Sequence, residues 1–322
     1  MTFPNRIFDL YYGATGSGKS RAIAQMISAL HKQTGKKARV WVGDGSAITY
    51  DHLVNQGIAE VAEFSHRPWP FDVIKRIVSG WWPADQFDPQ SPLVDPTKQA
   101  DLKDIGIWVI EGASVMGQYC MGGIKGGLAE QAGRGIKIGQ DSPIQILQGE
   151  TDKTGKLIEG PGTTVGGNPI AHYNVGQRAI TDAVQQSRGL GRYVFWTAHE
   201  ATNDPSQSQL NKELIVGPEV VGKALTASFQ RMFGNTPHFQ TVAKKGKAKD
   251  DFTGKDVTDL DLDFRIYTRD HFTPDGNTMI RYKALTRGVD NDQFPQSFDN
   301  IYAYYSALLE AQQKEVDITT LV

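Results

Sequence analysis

Residues 13–20 read Gly-Ala-Thr-Gly-Ser-Gly-Lys-Ser, glycines set around small and hydroxyl side chains and closed by a lysine. Such glycines let the backbone wrap close to an anion, with its N–H groups pointing inward. Lys19 has the reach to meet β- and γ-phosphates, and the Ser20 hydroxyl is suited to Mg2+. This Walker A spacing predicts a binding segment for ATP and Mg2+ made of Gly13, Ala14, Thr15, Gly16, Ser17, Gly18, Lys19, Ser20 and Arg21. A chance glycine turn is the plainer alternative. The context argues against it, because an apolar run at 7–12 precedes the glycines and Ile23, Met26, Ile27 and Leu30 follow at helical spacing. A helix there offers its N-terminal N–H groups and positive dipole end to the same phosphates.

Hydrolysis needs a second acid for the metal and a group that orients the attacking water. Glu111, closing the apolar run 107–110, is the candidate metal acid. Glutamate is a departure from the usual aspartate, supplying the same charge one methylene further out, and an ordinary strand-end acid is the alternative. Asp44, ending the run 38–44, is the candidate water-activating acid; with Gly45 behind it, Asp44 could equally begin a turn. His199 and Glu200 follow the strand-like run 193–197, and His199 is the candidate γ-phosphate sensor, or a histidine satisfying a local hydrogen bond. His199 and His172 lack metal-ligand spacing, so zinc is not expected.

The elements that must position these residues alternate between strand-like and helix-like, the pattern of a parallel sheet flanked by helices. Strands are expected at 7–12, 38–44, 60–65, 105–111 and 193–197, and helices after the glycine segment and at 71–78 and 171–187. Residues 81–104 form an irregular, proline-rich insert, and 133–167 a glycine-rich loop. Towards the C-terminus, 263–268 and 279–284 read as the strands of a β-hairpin with turn residues at 272–277. The charged stretch 241–263 carries Lys244, Lys245, Lys247 and Lys249, which could meet phosphates, but Asp250 and Asp251 dilute the charge and an exposed hairpin tip is the favoured reading. A surface helix is expected at 301–316, with Ile301, Tyr304, Tyr305 and Leu308 on one face. The fold class is thus α/β, with one domain over 1–300 and a helix and tail over 301–322.

The 322 residues carry a net charge of −2, so no global basic field announces a nucleic acid. Cys120 is the single cysteine, which excludes an intrachain disulfide framework. No signal-peptide pattern opens the sequence and no apolar run nears the ~20 residues of a membrane helix. A cytoplasmic location without membrane association is expected.

Taken in order, the motifs GATGSGKS, VWVGD, WVIEG, FWTAHE and RYKALTR (281–287) resemble those of the RecA-like ATPases, especially compact phage-encoded ATPases associated with single-strand annealing and recombination. Gly112, in place of a second acid after Glu111, separates the chain from P-loop families that carry an acid pair there. The resemblance implies a RecA-like P-loop core with a mainly parallel sheet, head-to-tail homo-oligomers and ATP at the subunit interface. It implies that Lys283 and Arg287 reach a neighbour's γ-phosphate, although outward-facing strand cations are the alternative. It also implies DNA, expected single-stranded, held by loops at 133–167 and 201–213, in the cytoplasm of a bacterial host if phage-encoded. Neither loop offers an aromatic stacking platform. The expected function is a Mg2+-dependent ATPase acting on DNA in recombination or repair; the alternatives are a DNA-packaging or virion-associated motor, or a structural nucleotide-binding protein with little turnover.

Overall fold

The structure, a computed structural model, describes residues 3–64, 82, 101–121, 169–203, 213–221, 228–249, 256–272, 279–282 and 294–319. Its centre is a run of parallel strands: β1 (Ile7–Gly13), β2 (Lys37–Val42), β3 (Ala59–Glu63), β4 (Ile105–Glu111) and β5 (Tyr193–Asn203). In space they lie in the order β3-β2-β4-β5-β1. These strands are apolar on both faces because helices cover both. On one face Tyr11, Val40, Val42, Ile107, Val109 and Phe195 join one core, and on the other Leu10, Tyr12, Trp41, Trp108, Ile110 and Trp196 join a second.

The sheet continues past β1 through β7 (His238–Lys249), β8 (Asp256–Tyr267) and the short β11 (Ser297–Phe298). β7 begins parallel to β1, then runs antiparallel to β8 over its whole length. β6 (Glu213–Pro218) folds back antiparallel on the far end of β5 and carries β10 (Met279–Tyr282), which pairs with β9 (His271–Phe272). The architecture is therefore α/β with a mostly parallel mixed sheet, as the alternation of elements predicts.

Strand pairing corrects the expected hairpin. Residues 263–267 belong to β8 and pair with β7, while Met279–Tyr282 finds its antiparallel partner in His271–Phe272. Pattern alone could not find this pairing, since the two residues His271–Phe272 are too short to show an alternation while 263–267 shows a clear one. The charged residues on either side do pair antiparallel, with Lys244 opposite Asp261 and Lys249 opposite Asp256, while 250–255 between them lie outside the described residues. β5 also runs to Asn203, so 201–203 is strand where a loop was expected.

α1 (Lys19–Thr34) buries Ala22, Ile23, Ala24, Met26, Ile27 and Leu30, each larger side chain contributing about 1.5–3 kcal/mol. It ends at Gly35 in the left-handed conformation, whose N–H bonds the His31 carbonyl. α2 (Asp51–Asn55) is short, and a helical segment over 113–121, α3, follows β4. α4 is Pro169–Ser187 and α5 is Ile301–Thr319. α5 packs on the α1 side through Ile301, Tyr304, Tyr305 and Leu308, the face its periodicity predicts. Arg39 on β2 is buried beside the Trp82 ring at 4.9 Å and pairs with Glu60 at 2.9 Å.

Candidate functional site

The glycine-rich segment crosses from the carboxyl end of β1 to the first turn of α1. Two glycines are required by geometry. A Cβ on Gly13 would stand 2.0 Å from the Phe239 carbonyl oxygen of β7, and Gly18 caps α1 with φ 91°, a left-handed conformation. No acidic side chain occupies the first turn of α1, which leaves its N–H groups and positive dipole end to an external anion.

Lys19 folds back over the loop, donating to the carbonyls of Gly13 at 2.9 Å and Ala14 at 2.8 Å. Burial lowers its pKa, while the charges of Glu111, Asp44 and Glu200 favour the ammonium. Three acids thus lie within electrostatic reach of one lysine.

Glu111 closes β4 on the same face as Ile107 and Val109, the face that α1 covers. Its two oxygens accept from the Ser20 hydroxyl and, at 2.6 Å, from the Tyr50 hydroxyl. Burial raises its pKa, and the nearby Asp44 adds to the effect while the two hydroxyls oppose it. Tyr50 ends the 3-10 turn Ser46–Tyr50 that follows β2. Ser20 and Glu111 form an all-oxygen donor set, the kind a hard divalent cation takes. Among the described residues no group of three or more His, Cys, Asp and Glu could hold a metal, so a cation here would complete its shell with ligand oxygens and water.

Asp44 is exposed and accepts from the Ser46 N–H at 3.2 Å, closing a turn with Gly45. It nonetheless stands beside the site, since a Cβ on Gly112 would lie 3.8 Å from its backbone nitrogen. A cavity opens there between the ends of β2 and β3, lined by Gly43, Asp44, Glu63, Phe64, Val115 and Tyr119.

β5 lies between β1 and β4, so its tip reaches both. Thr197 accepts from the Gly112 N–H at 2.8 Å, fixing the turn after Glu111. His199 sits opposite Gly13 in register, with Nδ1 3.4 Å from the Thr15 hydroxyl. The His199 backbone N–H donates to the Ser114 hydroxyl, which in turn donates to the Glu219 carbonyl. Glu200 points to the other face and meets the buried His238 at 2.6 Å, below the Tyr12 ring. Burial depresses the His238 pKa against the pull of Glu200, and the charge of Lys19 adds to the depression.

No protein-family model and no curated protein matches the chain.

The structure gathers Lys19, Ser20, Glu111, Asp44 and His199 at the carboxyl ends of neighbouring strands. Lys283, Arg287, the expected helix 71–78, the glycine-rich loop 133–167 and most of the 81–104 insert and the 201–213 loop lie outside the described residues. Sequence reading missed Tyr50, Ser114, Thr197 and His238. None carries a spacing signal, because each reaches the site from an element whose place depends on strand order. Among the described residues no helix is long and apolar enough to cross a membrane.

Proposed function

We propose that the chain is a Mg2+-dependent ATPase of the RecA-like P-loop kind, acting on DNA in phage-type recombination or repair. One observation carries the nucleotide part: Glu111 meets Ser20 across 91 positions of sequence, beside Lys19 and the open N-terminus of α1. Pairing a hydroxyl at the helix start with a strand-end acid is the arrangement metal-assisted phosphoryl transfer uses.

In this reading Lys19 leaves the carbonyls of Gly13 and Ala14 for β- and γ-phosphate oxygens, and the first N–H groups of α1 meet the same oxygens. Ser20 and Glu111 hold Mg2+, which when bound neutralises charge on the phosphates. A neighbouring cation favours the ionised carboxylate, offsetting the burial that raises the Glu111 pKa. Asp44 orients the attacking water from the end of β2, and His199 links the γ-phosphate to β5 through Thr15. In a homo-oligomer, Lys283 and Arg287 of a neighbour add positive charge to the transferring group. The DNA role is supported by the order of motifs alone.

The test is phosphate release from ATP with Mg2+, alone and with single- or double-stranded DNA, using Lys19→Ala as the blank. Release stimulated by single strands and lost in the variant is expected. Stimulation by duplex alone would point to a packaging motor, and binding without turnover under every condition would leave a structural nucleotide-binding protein.

A further inference from the structure

The β7–β8 pair touches the glycine-rich segment from the side of β1 opposite to β5 and β4. Register fixes the level of that contact. Phe239 pairs with Gly13 on one side and Ile266 on the other, and both side chains are buried in the core under α1 and α5. The next row on the same face is Thr241 and Phe264, directly opposite each other and two residues further along, about 6–7 Å beyond the end of β1. That row stands beside the loop rather than beneath it. The Thr241 hydroxyl lies 3.5 Å from the Gly16 carbonyl, and the Phe264 ring lies 3.2 Å from where a Cβ on Gly18 would stand. Glycine at 18 therefore serves the ring's approach as well as the left-handed cap.

Phe264 remains 40% exposed. Among the described residues the exposed large hydrophobic side chains are Ile48, Leu102 and Phe264, and Phe264 alone is aromatic. A part-exposed phenyl ring at the rim of a polar loop offers a flat apolar face to a ligand bound in that loop. Ser20 and Glu111 fix the metal end on the β4 side of β1. On the nucleotide reading, a triphosphate lying along the loop from that end would lead away from β4 and bring its sugar and base to the β7–β8 side.

We infer that Phe264 is the stacking platform for the base of the bound nucleoside triphosphate, with Thr241 closing the outer flank of the loop beside it. This rests on the nucleotide reading above, and adds to it the residue that separates a nucleotide from a bare polyphosphate. Stacking of a base on an aromatic side chain corresponds to a roughly 5- to 150-fold change in affinity.

The experiment titrates the full chain and its Phe264→Ala and Phe264→Trp variants with ATP and with inorganic tripolyphosphate, both with Mg2+. Phe264→Ala is expected to weaken ATP about tenfold or more and leave tripolyphosphate unchanged. Phe264→Trp is expected to keep ATP affinity, and the emission it adds over wild type should be quenched by ATP and not by tripolyphosphate. Unchanged ATP affinity in Phe264→Ala, equal weakening of both ligands, or an unquenched tryptophan would overturn the platform while leaving the phosphate site standing. A wild-type chain that binds neither ligand would overturn the nucleotide reading itself, and the platform with it.

Discussion

Glu111 and Asp9 are both buried carboxylates on central strands of one sheet, and each accepts a hydrogen bond from a tyrosine, Tyr50 at 2.6 Å and Tyr305 at 2.7 Å. Burial raises the pKa of both, that of Asp9 to about 6. They differ in position. Glu111 ends its strand and faces Ser20 at the start of α1. Asp9 lies in mid-strand, sealed under α5, where the Asn235 backbone N–H and side-chain amide also donate to it, both at 3.0 Å. Tyr305 bonds Tyr11 as well, at 2.8 Å, so the Asp9 cluster ties the C-terminal helix to β1. A perturbed buried acid is thus not a functional site by itself. Its place at the carboxyl end of a parallel sheet distinguishes Glu111.

Neutral isosteres should separate the two most sharply. Glu111→Gln is expected to cut phosphate release by about two to three orders of magnitude, the cost typical of removing one preorganised electrostatic group. Its melting temperature should stay level or rise, because a buried charge is removed. Asp9→Asn should keep turnover within a few-fold of wild type. Phosphate release and thermal melting on the same samples check both, and an Asp9→Asn protein as inactive as Glu111→Gln would erase the distinction.

The pH dependence of stability comes next in size. The folded-state pKa of Asp9 lies above the ordinary carboxyl value of 3.8, so the folded chain binds the proton more tightly. Its contribution is greatest below about pH 4 and declines as pH rises through about 6, by roughly 3 kcal/mol in all. Urea unfolding at several pH values should show this decline in wild type and lose that part of it in Asp9→Asn. A pH dependence identical in the two proteins would contradict the assignment.

Removing one hydroxyl from each acid refines the contrast. Tyr305→Phe takes a donor from Asp9 and a partner from Tyr11, and should cost about 2 kcal/mol at neutral pH with turnover intact. Its urea midpoint is the readout. Tyr50→Phe, the counterpart at Glu111, should lower turnover a few-fold and cost about 1 kcal/mol, the smallest effect of the series. Equal loss of turnover in both tyrosine variants would mean that the two acids are coupled.

Much of this was legible in the chain. The glycine segment, its strand and its helix follow from local spacing, and Glu111, Asp44 and His199 stand out in the sequence because each follows an apolar run. The buried face of α5 followed from period alone. Asp9 went unnoticed, because one aspartate inside an apolar run reads as an interruption. The pattern pairs 263–268 with 279–284, whereas 263–267 pairs with β7 and 279–282 with β9 and β6, because side-chain alternation specifies which face a strand buries and not which neighbour it pairs with.

By itself the sequence determined a strand–glycine turn–helix with a lysine and a hydroxyl at its start, and an α/β alternation to carry it. These are local properties, set by backbone freedom and hydrophobic period within a few residues. Only the tertiary structure decided that β5 stands between β1 and β4, that Tyr50 and Ser20 share Glu111, and that Phe264 leans on Gly18. Those contacts join residues far apart in the chain, and they exist because burying both faces of one sheet fixes a strand order that no local pattern encodes.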